Sequence, residues 1–196
     1  MKTLALLLAL ALAPLAHAQS DRGMYFGAGL GSFAYDEGTG GVSDSAYAYH
    51  LFGGYKFNEH FALEGGISGT GDLKDSFTVM DPFGPVKLDV KENYNLYSFT
   101  ALGILPFDNM SLFAGAGYFS ASFSGSIDAF DLNTGSNLGS GSIPGPHSSG
   151  AAAKFGIQHD FGLDLKSLSI RAQYDWYDFD GNIDASGITI AMLFRF

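Results

Sequence analysis

The chain has 196 residues, no cysteine, 46% hydrophobic residues and a formal net charge of −10. The lack of cysteine excludes disulfide bonds and thiolate metal sites, and the acidic charge excludes nucleic acid as a partner, because binding it requires basic patches. The mean hydropathy is positive at +0.12, yet beyond the N-terminal segment the chain has no run of about 18 apolar residues that would form a membrane-spanning helix.

The N-terminal segment has the pattern of a secretory signal peptide. Lys2 is followed by an apolar run over residues 4–15 and then by Ala16-His17-Ala18, which matches a charged start, a short apolar core and a small-x-small cleavage site. We predict a signal peptide over residues 1–18, cleaved after its last alanine. The run is shorter than the about 20 residues that a spanning helix needs, and no cysteine follows it to accept a lipid. Residues 19–196 are then expected to form one exported domain.

Eight strands are predicted from the alternation of apolar and polar residues between segments rich in Gly, Asn, Asp and Pro. They run over residues 24–35, 46–57, 61–70, 93–105, 110–122, 151–161, 168–178 and 186–196. All the prolines lie outside these segments, as expected because proline removes a hydrogen-bond donor from a paired strand.

The predicted connections alternate in length. Short turns are expected at residues 58–60, 106–109 and 162–167, and long polar loops at 36–45, 71–92 and 123–150, with 179–185 as a shorter fourth. The segment 123–150 has six Gly and seven Ser in 28 residues, a composition that predicts a flexible loop.

The last predicted strand carries the clearest membrane pattern. Large apolar side chains take every second position, at Ile188, Ile190, Met192, Phe194 and Phe196. Such alternation over about 9–11 residues is what a transmembrane β-strand requires. With short turns at one rim and long loops at the other, it predicts an all-β fold, an eight-stranded antiparallel up-and-down transmembrane β-barrel. A soluble lipocalin-like barrel is the alternative, which would be found in the periplasmic fraction.

Five short motifs occur in a specific order along the chain. They are residues 24–31 (MYFGAGLG), 52–58 (FGGYKFN), 61–64 (FALE), 171–174 (RAQY) and 194–196 (FRF). Together they resemble the eight-stranded outer membrane protein A type and opacity-like barrels of Gram-negative bacteria, and the similarity covers essentially the whole mature chain.

The resemblance implies a location in the bacterial outer membrane and a monomeric barrel in contact with outer-membrane lipids and lipopolysaccharide. It also implies insertion by the barrel assembly machinery, which reads the C-terminal aromatic strand with Phe194 and Phe196. The longer relatives continue into a peptidoglycan-binding domain, whereas this chain stops at Phe196, so a cell-wall anchoring role is not carried over.

The alternation, phased with this resemblance, assigns side chains to two faces. The lipid-facing set is expected to be Met24, Phe26, Ala28, Leu30, Leu51, Tyr55, Phe57, Leu63, Ile67, Leu102, Ile104, Leu112, Phe155, Ile157, Ile170, Tyr174 and Trp176. The inward set is expected to be Tyr25, Gly27, Gly29, Gly31, Phe52, Gly54, Lys56, Glu64, Phe99, Phe113, Gly115, Lys154, Gln158, Arg171, Gln173, Asp175 and Arg195. Because side chains fill the interior of an eight-stranded barrel, a continuous water channel is not expected.

The inward charges need partners, since an isolated charge in a low-dielectric interior costs several kcal/mol. Glu64 and Arg171 match the positions of an interior ion-pair network in the resembled barrels, and Asp175, Lys154 and Gln158 are expected to extend it. Two roles are open: a structural network that fills the interior, or a gate whose ion pairs exchange to open a narrow pore.

Catalysis is the third reading, because some eight-stranded barrels modify lipid A. That chemistry needs a base beside a nucleophile at the outer rim, for which His50 and His147 are the nearest candidates, and the chain has no Gly-x-Ser-x-Gly elbow or spaced metal-binding histidines. We therefore expect no enzyme activity, no cofactor and no metal site. Two roles are open for the acidic residues of the loops: they keep the loops solvated, or they hold divalent cations that bridge lipopolysaccharide phosphates. The expected function is a structural or surface-interaction role in the outer membrane, with a narrow porin as the alternative.

Overall fold

The computed structural model describes residues 22–36, 43–82, 84–161, 168–179 and 183–196. Within them the chain forms β1 (Gly23–Asp36), β2 (Ser43–Asn58), β3 (Phe61–Thr70), β4 (Leu73–Asp81), β5 (Gly84–Phe107), β6 (Met110–Asp131), β7 (Asn137–Asp160), β8 (Leu168–Phe179) and β9 (Ile183–Arg195). The predicted cleavage residues Ala16 and Ala18 lie outside the described residues.

The strands close into a barrel. Each strand pairs antiparallel with its neighbour in the order β3-β2-β1-β9-β8-β7-β6-β5, and β3 pairs with β5 to complete the ring. The ring has eight strands, so the predicted eight-stranded antiparallel fold is confirmed. Closure leaves no open edge within the ring, and this allows a sheet to stand in a membrane with its backbone hydrogen bonds satisfied.

β3 and β4 behave as one strand interrupted by a β-bulge. Gly69 lies opposite Asn95 on β5 and Leu73 lies opposite Glu92. The segment that joins β3 and β4 therefore carries one residue more than the facing segment of β5. A bulge bends the strand and increases its twist. The pairing of β2 with β3 ends with Ala48 opposite Thr70, a backbone hydrogen bond from Gly71 to Tyr47 follows, and β4 then continues upward paired with β5.

The prediction of long loops is wrong for two segments of the chain. Residues 71–92 and 123–150 are mostly strand, because β5, β6 and β7 continue beyond the barrel and only residues 132–136 separate β6 from β7. We call this four-stranded extension, made of residues 73–92 and 123–144 in the order β4-β5-β6-β7, the projecting sheet. Its Gly- and Ser-rich strand β7 is held by the register with β6, which supplies backbone partners that composition does not reveal.

The tip of the projecting sheet is a short turn. The backbone N–H of Asn133 donates to the carboxylate of Asp131 at 2.8 Å, and this hydrogen bond lowers the pKa of Asp131. Gly135, at φ 69°, takes the left-handed backbone conformation that glycine adopts without strain.

The faces of the barrel follow the predicted alternation except on β5. On β5 the predicted phase is wrong by one residue: Phe99 is 59% exposed, and Leu102 is completely buried in the lumen. Ile104 also packs inward, against the buried lumen cluster near the short turns. Large apolar residues occur at both parities of this strand, so hydrophobicity alone does not set its phase, whereas the small polar residues Ser98 and Thr100 lie inward.

Exposed aromatic side chains ring the barrel near both ends. Tyr47, Tyr97 and Tyr118 lie toward the projecting sheet, and Tyr55, Phe107 and Phe196 lie toward the short turns. Two aromatic belts flanking an apolar band are typical of outer-membrane barrels, in which the short turns are periplasmic. In the described residues no helix is long and apolar enough to cross a membrane.

Apolar side chains close the lumen at two levels. The outer cluster contains Phe33, Tyr94, Leu96, Phe119, Tyr177 and Phe179, and the periplasmic cluster contains Tyr25, Phe52, Leu102, Phe113 and Leu193. Glycines make room for some of these rings, since Gly27 lies opposite Phe52 and Gly54 lies opposite Tyr25 across the β1–β2 pair. A packed interior of this kind follows from the small diameter of an eight-stranded barrel.

Candidate functional site

Glu64 is the centre of the charged interior. Its carboxylate accepts hydrogen bonds from Arg171 Nη1 at 2.6 Å, from Lys154 Nζ at 2.8 Å and from the Tyr25 hydroxyl at 3.0 Å. The side chain is 1% exposed. One buried carboxylate therefore has two cationic partners and a hydroxyl donor, which is the kind of satisfied arrangement that a buried charge requires.

Lys154 connects Glu64 to a second carboxylate. Its Nζ lies 3.6 Å from Asp175 Oδ1, and the other oxygen of Asp175 accepts a hydrogen bond from Gln173 Nε2 at 2.8 Å. Lys154 lies opposite Asp175 across the β7–β8 pair, so the register of these two strands sets the contact. The lysine is shared unequally, with the shorter distance to Glu64.

Arg171 is enclosed by aromatic rings. Its guanidinium carbon lies 4.6 Å from the ring centre of Phe113, 4.8 Å from that of Phe52 and 5.7 Å from that of Tyr25. Cation–π contacts of this kind are stronger when they are desolvated. The rings and the two hydrogen bonds to Gln158 Oε1 hold the guanidinium plane in place.

A third carboxylate, that of Asp160, continues the polar chain to the periplasmic rim. Gln158 Nε2 donates to Asp160 at 2.8 Å, Ser169 Oγ donates to the same oxygen at 2.6 Å, and Arg195 lies 3.4 Å from the other oxygen. A cavity of about 30 Å³ lies beside Gln158, Arg171 and Arg195, enough for one or a few water molecules. The structure thus brings together all five residues named from the sequence, namely Glu64, Arg171, Asp175, Lys154 and Gln158.

Sequence reasoning missed the aromatic part of this network. The Tyr25 hydroxyl and the rings of Phe52 and Phe113 contact Arg171 or Glu64, yet only their inward direction was expected. A usable signal exists, because an aromatic residue alternates with glycine on both β1 and β2, as in Tyr25-Phe26-Gly27 and Phe52-Gly53-Gly54. The three-dimensional meeting of β1, β2, β6 and β8 side chains cannot be read from that pattern.

His50 occupies a different place from the one expected. It is 3% exposed and faces the lumen, where its Nδ1 lies 2.5 Å from Ser68 Oγ and its ring lies 5.1 Å from that of Phe52. Its Nε2 has no hydrogen-bond partner among the described residues. A histidine beside a serine is the pair that nucleophilic catalysis uses, but here both lie inside the barrel, below the outer aromatic cluster.

The projecting sheet has one apolar and one polar face. The apolar face continues the lumen-facing side of β5 and contains Phe77, Val79, Val86, Leu88, Val90, Ile127 and Ala129. Phe77 is 46% exposed and Val79 is 45% exposed. The other apolar side chains of this face are half-buried, so in the part of the chain that the structure describes the face is only partly covered.

The polar face carries ion pairs. Lys87 Nζ lies 2.8 Å from Asp89 and Lys91 Nζ lies 3.6 Å from Asp128, and Ser124 Oγ donates to Asn93 at 2.6 Å. Asp89 and Asp128, two carboxylates that the sequence placed in acidic loops, are therefore paired with lysines on β5. No group of three or more His, Cys, Asp or Glu side chains that could hold a metal occurs in the part of the chain that the structure describes.

The terminal aromatic residues stack at the periplasmic rim. The ring of Phe26 on β1 lies 5.4 Å from that of Phe194 and 5.6 Å from that of Phe196, with interplanar angles of 22° and 16°. The backbone N–H of Phe196 donates to the carbonyl of Met24 at 3.0 Å. The chain end is thus part of the seam that closes the barrel between β1 and β9.

Solved structures similar to this one are small outer-membrane barrels. The attachment invasion locus protein Ail of Yersinia pestis, in complex with the heparin analogue sucrose octasulfate, is 16% identical, with a TM-score of 0.55 over 90% of this chain and 100% of that chain. Neisserial surface protein A is 14% identical, with a TM-score of 0.54 over 88% of this chain and 97% of that chain. The N-terminal β-barrel domain of Pseudomonas aeruginosa OprF is 13% identical, with a TM-score of 0.51 over 88% and 98%.

No curated protein matches the chain. The family described as outer membrane protein beta-barrel domain matches residues 3–196, which is nearly the whole chain. This match and the closed antiparallel ring agree, and the chain belongs to the outer membrane protein β-barrel domain family.

Proposed function

We propose that this protein is a surface-interaction protein of the bacterial outer membrane, in which the barrel is a rigid support and the projecting sheet is the binding element. The observation that carries the proposal is the apolar face of that sheet, on which Phe77 and Val79 are exposed. Contiguous exposed apolar surface on a folded protein marks interaction sites. A rigid scaffold that presents a binding element at its outer end is also a common arrangement.

Catalysis is not part of the proposal. His50 and Ser68 are inside the lumen, so a lipid A molecule in the surrounding membrane does not reach them. His60 is exposed, but it lies in a short turn beside Glu59, at the rim opposite the projecting sheet. His147, the other base named from the sequence, is exposed on β7 opposite Ser122, and we propose no catalytic role for it.

A narrow gated channel is the second candidate, favoured by the position of Lys154 between two carboxylates. A shift of its Nζ from Glu64 toward Asp175 would exchange one ion pair for another. Against conduction stand the outer apolar cluster and the rings of the periplasmic cluster, which pack around the guanidinium of Arg171. Planar-bilayer recordings of the purified barrel are expected to stay at background conductance, and steady single-channel steps would favour the channel.

The remaining parts of the proposal concern export and assembly. We infer that residues 1–18 are a signal peptide cleaved after Ala18, with Ala16 as the second small residue of the site, and that residues 19–196 form the mature barrel domain. The barrel assembly machinery reads the terminal strand with Phe194 and Phe196. The mature protein, with nine Lys and Arg against 20 Asp and Glu and thus a net charge of −11, stands as a monomer in its own membrane among lipids and lipopolysaccharide.

The test of the surface role compares the two faces of the projecting sheet. Cells that express the double variant Phe77→Ser/Val79→Ser are expected to lose adhesion to cultured epithelial monolayers and to other cells. A matched variant of the polar face, Lys74→Ser/Thr78→Ser on the same strand, is expected to keep it. Export and heat-modifiable mobility should be unchanged in both variants because β4 lies outside the ring. Equal adhesion of wild type and the apolar-face variant would overturn the proposal.

A further inference from the structure

β4 is the last strand of the projecting sheet, and in the described part of the chain β5 is the one strand that forms a hydrogen-bonded ladder with it. We propose that β4 pairs antiparallel with β4 of a second copy of this protein in a facing membrane, so that the projecting sheets of two cells or vesicles form one continuous sheet. The inference rests on the proposed surface role and names a partner for it.

The two edges of the projecting sheet differ in their ability to pair. β4 has no proline, and residues 76–82 are exposed. The opposite edge belongs to the upper part of β7, which has Pro144 at the base of the projecting sheet, followed by Pro146 just below it. Proline removes a backbone donor, and natural sheets use it to block an edge. An edge-to-edge contact between β4 of one copy and β7 of the next is therefore disfavoured, and β4 is the edge open to a new strand.

The sequence of β4 is compatible with pairing to itself. In the antiparallel register centred on Phe77, this phenylalanine faces its own copy and Ser76 faces Thr78. Lys74 then faces Met80, Asp75 faces Val79, and no like charges are directly opposite. Like charges at directly opposed positions destabilise a strand pair, whereas aromatic pairs stabilise it. A shift of the centre to Thr78 would place Asp75 opposite Asp81, which favours the register centred on Phe77.

The pairing also extends both faces of the projecting sheet. Phe77 lies beside Leu88 and Val79 beside Val86 within one copy, so joining two β4 strands brings two apolar faces into one. The exposed flanks of Phe77 and Val79 would be covered at the junction. This gives the apolar face an occupant of matching chemistry and shape, namely the same face of a second copy.

Symmetry decides where the second copy is. Two identical edge strands that pair antiparallel are related by a two-fold axis perpendicular to the sheet. The projecting sheet continues the barrel wall upward, so this axis is parallel to the membrane plane. Rotation by half a turn about such an axis inverts the direction of the membrane normal. Two copies in one membrane cannot make this contact, whereas two copies in facing membranes make it without distortion, and each remains a monomer in its own membrane.

A single contact of this kind is small. One pair of nine-residue strands is below the size of a stable protein–protein interface. Two membranes that each hold many copies form many such pairs at once, and the effective concentration of the second and later pairs is high. We therefore expect weak association of the purified protein in detergent and strong association of membranes.

Disulfide trapping tests the register and the geometry together, because the chain has no cysteine. Ser76→Cys and Thr78→Cys proteins with different tags are reconstituted separately into phosphatidylcholine vesicles, and the two populations are then mixed under mild oxidation. A disulfide dimer carrying both tags is expected, together with vesicle clustering seen by light scattering. Phe77→Cys is expected to trap its own copy, whereas Ser76→Cys mixed with Ser76→Cys is the matched control that stays monomeric.

Two results would overturn the inference. Mixed-tag dimers that form only when both proteins share one vesicle would show lateral contact, and an absence of dimers in the Ser76→Cys/Thr78→Cys and Phe77→Cys samples would show that β4 does not pair with itself. Wild-type clustering should be lost in Thr78→Pro, with heat-modifiable mobility retained as the measure of folding. Loss of adhesion in Phe77→Ser/Val79→Ser without any β4 disulfide would leave the surface role standing and reject the second copy as its partner.

Discussion

At the scale of single residues, Glu64 is the side chain on which the interior depends most. It has two cationic partners and a tyrosine hydroxyl, whereas Arg171 also has Gln158 and three aromatic rings. Loss of Glu64 leaves Arg171 without a carboxylate, while loss of Arg171 leaves Glu64 with Lys154. Substitution of Glu64 and substitution of Arg171 should therefore lower the free energy of unfolding by different amounts.

We expect Glu64→Gln to lower the free energy of unfolding by roughly 3–5 kcal/mol, the cost of an unpaired buried charge, and Arg171→Met to lower it by less. The double variant should cost less than the sum of the two, because residues in contact are not additive. Denaturant titration of the barrel in lipid vesicles measures all three. The control is the half-exposed pair of Lys87 and Asp89, for which a change of about 0–1 kcal/mol is expected.

Strict additivity of the Glu64 and Arg171 variants would mean that the two side chains do not interact in the folded barrel. Conductance adds an independent measurement. Because the two apolar clusters remain in every variant, we expect no rise above background, and channel steps in the single variants would instead support the gate.

At the scale of elements, β5 is the strand whose lipid-facing and lumen-facing side chains can be distinguished by experiment. The structure turns Phe99 to lipid and Leu102 to the lumen. In this cysteine-free chain we expect Phe99→Cys to react with a membrane-soluble maleimide and Leu102→Cys to remain unreacted in folded protein. Labelling is read by mass spectrometry, with unfolded protein as the control in which both react. The reverse pattern would restore the phase predicted from the sequence.

The last strand is the second element with a measurable role. Phe194 and Phe196 stack on Phe26 at the closing seam of the barrel. If the assembly machinery reads this end, Phe196→Ser should lower the amount of heat-modifiable barrel in the outer membrane while export stays intact. Phe107→Ser is the matched control, because Phe107 is an exposed aromatic residue at the same rim. Equal losses in the two variants would assign Phe196 to the aromatic belt alone.

At the scale of the whole molecule, the projecting sheet changes the expected pattern of proteolysis. A protease added to intact cells should cut at residues 132–136, the turn at the tip, and spare the short turns at Glu59 and His60 and at Asp108 and Asn109. Within 123–150, cleavage should be confined to the tip because most of the rest of this segment is paired strand. Mass spectrometry of the fragments locates the cut. Cuts spread through 123–131 would mean that this hairpin opens in the membrane-bound protein.

The amino-acid sequence by itself determined the fold class, the strands of the ring and the direction of most side chains. These features depend on local alternation of apolar and polar residues. In a strand whose two faces differ clearly in polarity, a period of two fixes which face points to lipid. The inward positions of Glu64, Arg171, Lys154, Asp175 and Gln158 were predicted from this alternation together with the resemblance to eight-stranded outer-membrane barrels, which set its phase.

Only the tertiary structure decided the phase of β5, the length of β5 to β7 and the contacts inside the lumen. On β5 both faces are apolar, so its phase is fixed by which side chains fit the packed interior. The Gly- and Ser-rich segment of β7 forms a strand because β6 supplies its backbone hydrogen bonds, and no local propensity records that partner. The meeting of Tyr25, Phe52, Phe113 and Arg171 depends on the register and closure of the ring, which bring together residues far apart in the chain.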